Sequence, residues 1–245
     1  MQNIFITGAS RGLGLEFTRR FIERGDRVFA ACRNPQEAGY LGYLRETTQD
    51  RLSIIKLDVS DEGAIFDAYA MVKMQTKQLD LLINNAGIYL GRRGDTPQAH
   101  DEQGSDEFGS LNLPDGLNVM RTNAIGPMLI AQQFISLLQA GKNPRVVSVT
   151  SGYGSISGND WGEPYHYSAS KAALNQYMRS FAIDAKPLGI ASVVISPGWV
   201  QTEMGGPRAP LKPLESVDGM IRVINGLTLS QTGLFFDWQG ENLDW

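Results

Sequence analysis

Tyr167 and Lys171 are four residues apart in the run Tyr167-Ser168-Ala169-Ser170-Lys171. The residues after them, Ala172-Ala173-Leu174-Asn175-Gln176-Tyr177-Met178, are strong helix formers. The spacing therefore predicts a phenol and an ammonium on one helix face, within reach of each other. A lysine ammonium beside a phenol favours the phenolate and is expected to draw the tyrosine pKa down from about 10 towards neutrality. A tyrosine so tuned exchanges a proton with a carbonyl or alcohol oxygen at neutral pH. The same spacing also fits a solvated polar pair, so its meaning depends on the elements around it.

The strand-like run Asn3–Thr7 leads into Thr7-Gly8-Ala9-Ser10-Arg11-Gly12-Leu13-Gly14, after which a helix begins. Gly8 permits a tight turn, Gly12 lets backbone approach a pyrophosphate, and Gly14 allows close packing of helix on strand. A helix N-terminus behind such a loop presents free N–H groups and a positive dipole end to phosphates. The second strand ends Ala30-Ala31-Cys32-Arg33, with no acidic residue for a ribose 2′-hydroxyl. Arg33 with Arg11 forms instead a basic clamp for a 2′-phosphate, which points to NADP(H) over NAD(H). The alternative for both arginines is a solvated surface charge.

These motifs need a scaffold, and the hydrophobic pattern supplies one. Strands are predicted at 3–7, 27–31, 52–56, 79–83, 145–150, 192–196 and 233–237, and helices at 13–23, 63–75, 117–139, 165–185 and 214–225. Unbroken apolar runs such as Leu81-Leu82-Ile83 and Val146-Val147 suit strands buried on both faces. Strand and helix alternate at the spacing of βαβ units, so the fold class is α/β: a Rossmann-type, doubly wound parallel sheet of about seven strands. With no repeat and no low-complexity linker, residues 1–245 are expected to form a single domain. The stretch 91–116 is polar and Gly-rich, with Asp95, Asp101, Glu102, Asp106 and Glu107, and reads as a surface loop or irregular insertion. Residues 200–214 carry Gly205, Gly206, Pro207, Pro210 and Pro213, a composition suited to a substrate lid.

Of the 245 residues, 42% are hydrophobic and 20% charged, ample for a sizeable core. A net charge of −4 argues against nucleic acid or an anionic membrane as partner. No apolar run approaches the roughly 18 residues of a membrane span, and the chain enters its first strand directly after Met1, so no signal peptide is expected. One cysteine, Cys32, excludes an intrachain disulfide and makes the cytoplasm the expected compartment. Two histidines, His100 and His166, with that cysteine make a metal site unexpected.

In order along nearly the whole chain, these residues resemble the short-chain dehydrogenase/reductase family. The resemblance rests on the loop Thr7–Gly14, Leu57-Asp58-Val59, Asn84-Asn85-Ala86-Gly87, Asn123, Ser151, Tyr167 with Lys171, and Pro197-Gly198. It implies an active site at the carboxyl ends of the strands, with Gly8, Ser10, Arg11, Gly12, Leu13 and Gly14 holding the cofactor phosphates. Asp58 and Val59 would contact the adenine, and Asn85, Ala86 and Gly87 would run along the cofactor. Pro197, Gly198, Val200 and Thr202 would border the nicotinamide. Asp58 equally suits a cap on the helix beginning near Asp61, and Asn84 and Asn85 equally suit bonds to backbone between strands.

The resemblance also implies four catalytic residues. Ser151 binds the substrate carbonyl, with Ser155 as fallback; Tyr167 donates the proton; Lys171 binds the nicotinamide ribose; and Asn123 holds a relay water. Tyr165, without a lysine four residues on, would line the pocket or pack, and His166 would be a surface or structural histidine. A small carbonyl or alcohol substrate, EC class 1.1.1.-, and a homodimer or homotetramer would follow. Cys32-Arg33-Asn34-Pro35 and the terminal Phe235-Phe236-Asp237-Trp238-Gln239-Gly240 are similar to the Sniffer-type carbonyl reductases and C-factor-like proteins. The latter would allow a rival reading, a regulatory protein that binds the dinucleotide with little turnover. Trp238 and Trp245 would line a pocket or interface, or simply pack.

Overall fold

The computed structural model describes residues 1–48, 50–91 and 106–245. Val-, Ile-, Leu- and Phe-rich runs become seven strands: β1 (Asn3–Thr7), β2 (Arg27–Cys32), β3 (Leu52–Lys56), β4 (Leu81–Asn84), β5 (Arg145–Val149), β6 (Ala191–Ser196) and β7 (Phe235–Asp237). All neighbours pair in parallel, in the order β3-β2-β1-β4-β5-β6-β7. The order reverses between β1 and β4, which opens a crevice beyond their carboxyl ends.

The connecting helices are α1 (Gly12–Glu23), α2 (Gly39–Thr47), α3 (Glu62–Gln75), α4 (Leu113–Met120), α5 (Gly126–Gln133), α6 (Ile135–Gln139), α7 (Tyr165–Ala185) and α8 (Pro213–Gly226). Successive strand residues point to opposite faces, so two cores form. On one, Phe5, Leu82, Val146 and Val194 pack with Val72 of α3, Ile130 of α5 and Leu174 and Met178 of α7. On the other, Ile4, Ile83, Val147 and Ile195 pack with Phe17 and Phe21 of α1 and Val217 and Met220 of α8. Among the described residues, no helix is long and apolar enough to cross a membrane.

The α/β expectation and its seven strands hold, and each predicted strand overlaps an observed one. Helix α2 was not foreseen: Gly39 and Gly42 weaken its pattern, and it buries only Leu41. The single helix predicted at 117–139 starts earlier and is broken. Asn112 accepts the N–H of Asp115 and Pro114 sits in the first turn, so the helix begins at Leu113. A π turn, Arg121–Ile125, then interrupts it, and a second break falls at Phe134 (φ −87°, ψ 2°). Of the acidic stretch 91–116, Asp95, Asp101 and Glu102 lie outside the described residues, as does His100. Asp106 is fully buried, contrary to a surface loop.

The contact that brings α1 onto β1 tolerates no side chain at Gly14. A Cβ there would lie 2.2 Å from the carbonyl oxygen of Gly8 and 2.5 Å from Asn85 Nδ2. Gly14→Ala should therefore cost about 2 kcal/mol and lower the melting temperature. Gly42→Ala, with nothing within 4 Å of the new methyl, should instead leave stability unchanged or raise it by up to about 1 kcal/mol. Thermal melts of the two variants check both.

Candidate active site

Four pieces of backbone converge at the carboxyl edge: the segment after β4, the π turn, the 3-10 turn Gly152–Gly154 after β5, and the first turns of α7. Tyr167 and Lys171 share a face of α7, as their spacing required. Lys171 is 4% exposed. Its Nζ donates to the carbonyl of Val149 at 2.9 Å and lies 5.7 Å from the centre of the Tyr167 ring. Ser151 acts on the Tyr167 phenol, drawing its pKa down, and its Oγ accepts the N–H of Tyr153 at 3.2 Å. The rings of Tyr89 and Tyr153 stand edge-on to Tyr167 at 5.3 and 6.3 Å. Trp161 extends this aromatic wall, 5.4 Å from Tyr153.

The electrostatics overturn one expectation. Burial pushes the Tyr167 phenol up to about 12, against Ser151, which pulls it down. Burial also brings Lys171 down to about 8. Proximity had suggested a lysine-stabilised phenolate. In the fold Lys171 leaves water and Tyr167 is half-buried, which disfavours each charged form, and the ammonium is directed at a backbone carbonyl.

Asn123 is buried within the π turn, a geometry that recurs at functional sites. Its Oδ1 accepts the N–H of Ile88 at 2.8 Å, and its Nδ2 donates to Ile88 O at 2.9 Å and Ser170 Oγ at 3.0 Å. Ser170 Oγ in turn donates to Tyr167 O at 2.7 Å. A Cβ on Gly87 would sit 3.4 Å from Asn123 Oδ1 and 3.7 Å from Lys171 Nζ. Glycine at that position keeps the space between amide and ammonium clear.

Beside this cluster lies the Gly loop. Gly8 (φ +66°) and Gly12 (φ +54°) adopt left-handed backbone, as the tight turn requires. Arg11 occupies the N-cap of α1 without a side-chain cap bond, and the first turn holds no acidic residue. The opening N–H groups of α1, at Gly12, Leu13 and Gly14, are thus left for a ligand, which suits a pyrophosphate. Asn85 Nδ2 donates to Thr7 O and Gly8 O at 3.0 and 3.2 Å, and the N–H groups of Asn85 and Ala86 bond Thr7 Oγ1. Asn85 therefore stiffens the loop, the backbone-tying alternative. Asn84, buried, donates to Pro127 O and Ser148 Oγ.

Asp58 Oδ1 accepts from the N–H and hydroxyl of Ser60. The α3 cap is Asp61, which accepts from Ala64 N, so the capping alternative for Asp58 falls away. Val59 is buried beside it, and Arg33 is exposed just past β2. Arg11 is paired with Glu203 at 3.0 Å. The segment after β6 thus reaches the Gly loop, also through Thr202, whose methyl lies 3.5 Å from a Cβ built on Gly12. Within 200–214, Val200 bridges Leu211 and Gln201 bonds Leu211 and Ala209, so the expected lid is stapled to itself. Val200 is buried. Pro197 O accepts from Ser216 Oγ, and Gly198 packs against Trp238.

Ser155, the fallback, sits further along the loop, where its Oγ accepts from Gly158 N. Tyr165 is exposed beside Phe108, and His166 packs on Gly116. Trp245 lies against Phe235, and its carbonyl accepts from Ser157. Sequence reasoning missed Ser170, Asn175, Tyr89, Tyr153, Trp161 and Asp106. Asn175 was within its reach, one turn beyond Lys171 on the same face. It accepts from Thr150 Oγ1 at 2.7 Å and donates to Gly154 O at 3.1 Å, binding α7 to the end of β5.

A profile of the short chain dehydrogenase family matches residues 2–211. C-signal of Myxococcus xanthus is 40% identical over 173 residues, which cover 69% of this chain and 95% of that protein. The NADPH-bound carbonyl reductase from chicken fatty liver superposes with a TM-score of 0.85 at 32% identity, over 100% of this chain and 99% of the other. Carbonyl reductase Sniffer of D. melanogaster superposes with a TM-score of 0.88 at 29% identity, over 100% of both chains.

The buried ammonium has a measurable cost. Lys171 titrates at about 8 here against 10.5 ordinarily, so between those values the unfolded chain binds the extra proton. Stability from this group is therefore lowest below pH about 8 and rises towards pH about 10.5. Lys171→Met should be more stable than the wild type at pH 7 by on the order of 1 kcal/mol, after allowing for the lost bond to Val149. Denaturant titrations across that pH range should show the gap closing as pH rises.

Proposed function

The chain belongs to the short-chain dehydrogenase family, and from that premise we propose that it is an NADP(H)-dependent reductase of carbonyl compounds, running the alcohol oxidation in reverse. The observation that carries this reading is the meeting of Ser151, Tyr167, Lys171 and Asn123 at one carboxyl edge, beside an uncapped helix N-terminus. The NADPH bound in the chicken carbonyl reductase supports the choice of cofactor.

The residues fit that cofactor. The N–H groups of Gly12, Leu13 and Gly14 would hold the pyrophosphate, and Arg33 the 2′-phosphate, with Arg11 exchanging Glu203 for the same anion. Asp58 and Val59 would border the adenine, Ala86 and Gly87 the middle of the cofactor, and Pro197, Gly198, Val200 and Thr202 the nicotinamide. Val200, with its side chain buried, would contribute main chain. When bound, the nicotinamide supplies or accepts the hydride.

The protein's own task is the proton and the polarised oxygen. Ser151 and Tyr167 hydrogen-bond the substrate carbonyl oxygen, and the phenol gives its proton as negative charge develops there. Lys171 would hold the ribose and pass the phenolate a replacement proton, resupplied from solvent through a water at Asn123 Oδ1, in the space that Gly87 leaves clear. The aromatic wall of Tyr89, Tyr153 and Trp161 flanks the phenol. Binding without turnover, the rival reading, would not require these four side chains to converge.

Wild type and Tyr167→Phe should be compared for NADPH binding and NADPH consumption with a panel of aldehydes, ketones and quinones. The variant should bind NADPH as the wild type does and lose at least about a hundredfold in turnover. A wild type that binds NADPH but turns over nothing would move the assignment to the regulatory reading. Reduction by the wild type should fall above pH about 8, as Lys171 loses its charge. Arg33→Asp should weaken NADPH binding by about tenfold or more with little effect on NADH; equal losses for the two would defeat the 2′-phosphate assignment.

A further inference from the structure

Helix α7 carries Tyr167 in its first turn yet has no cap of its own. Pro164 occupies the N-cap position without a side-chain bond, and the first turn contains no acidic residue. The opening N–H groups of a helix have no partner within it and need one from elsewhere. Here a single distant residue takes three in succession. Asp106 Oδ1 accepts the N–H of His166, and Asp106 Oδ2 accepts that of Tyr167 at 3.0 Å. The Asp106 main-chain oxygen accepts the N–H of Tyr165 at 3.3 Å.

The side chain is wholly buried, and its carboxylate faces the positive end of the helix. A second link runs the other way: the N–H of Phe108 donates to Glu163 Oε1 at 2.8 Å, just before α7. The ring of Phe108 also lies 6.3 Å from that of Tyr165.

We propose that Asp106 is a positioning residue for Tyr167, a two-oxygen clamp supplied by the chain between β4 and α4 that sets the height and rotation of the first turn of α7. The inference rests on the reading of Tyr167 as proton donor. One of the clamped N–H groups belongs to Tyr167 itself, so slack at Asp106 passes directly to the phenol and to its placement relative to Ser151. Proton transfer depends steeply on such placement. Asp106 touches neither substrate nor cofactor in this account; it acts through the backbone of the residue that does.

The test uses Asp106→Asn, which keeps one acceptor, and Asp106→Ala, which keeps none, in the full chain well below their melting temperatures. Turnover should fall in the order wild type, Asn, Ala, by on the order of tenfold or more for Ala, with KM and NADPH affinity within about twofold. Amide exchange should lose protection at His166 and Tyr167 while Leu174 and Met178, further along α7, stay protected. Unchanged turnover in Asp106→Ala, or protection that survives there, would overturn the proposal. So would equal losses of turnover, substrate binding and cofactor binding, which mark general unfolding.

If the wild type reduces no carbonyl, the reductase reading fails by itself, and the phenol decides the proposal. The ultraviolet phenolate band of Tyr167, taken as the difference from Tyr167→Phe after a rapid pH jump, should appear at lower pH in Asp106→Ala as the freed ring meets water. An unshifted band would overturn the clamp.

Discussion

A lysine ammonium held out of water, with no carboxylate paired to it among the described residues, sets the terms for the whole carboxyl edge. Lys171 is 4% exposed, and its recorded hydrogen bond goes to the main-chain carbonyl of Val149. None of the ion pairs among the described residues includes it. A buried charge without a counter-ion is tolerable only where dipoles and aromatic faces take the place of water. The end of β5 therefore has to present a carbonyl, and the ring of Tyr167 has to lie near the ammonium. What remains uncompensated emerges as the fall of the lysine to about 8.

Each support of that arrangement depends on another. Helix α7 approaches the turn after β5 closely because residue 154 is glycine: a Cβ there would lie 2.8 Å from Asn175 Nδ2 and 3.0 Å from the Lys171 carbonyl carbon. That approach lets Asn175 bond both Thr150 and Gly154. From the other side, the π turn directs Asn123 to Ser170, and Ser170 returns to the main chain of Tyr167. Asn123, Ser170 and Asn175 each find partners within this network, the condition under which such a network rigidifies a site. Tyr167 and Lys171 keep their positions because residues from the end of β5, a π turn and a distant loop are all bonded to their helix.

The sheet was legible because its strands are unbroken apolar runs, and such runs in alternation with helices leave few topologies. Tyr167 with Lys171, and Gly8, Gly12 and Gly14, were legible because their geometry is local: helical pitch for one, backbone conformation for the other. What failed to show depends on chain far away. Asp106 reads as one acid in a polar stretch, and only the fold carries it about 60 residues to the N-terminus of α7. Asn112 caps α4 ahead of Leu113-Pro114-Asp115-Gly116, a first turn too polar and Gly/Pro-rich to show apolar periodicity. The pairing of Arg11 with Glu203 likewise joins loops after β1 and β6. No spacing rule reveals the direction of a pKa shift, because the sequence gives the neighbour and the fold decides how much water remains.

The two shifts run in opposite senses, and together they fix the resting protonation of the site. With the phenol near 12 and the lysine near 8, neutral solution finds Tyr167 protonated and Lys171 mostly charged. A protonated phenol is the form that gives a proton to a carbonyl oxygen, and the opposite reaction needs the phenolate, which burial disfavours. The lysine, closer to neutrality than lysines ordinarily are, can pass a proton onward at small cost. The rings of Tyr89 and Tyr153 stand edge-on beside that phenol. The same burial that makes Lys171 expensive to fold thus also keeps the neighbouring Tyr167 phenol in its protonated form at neutral pH.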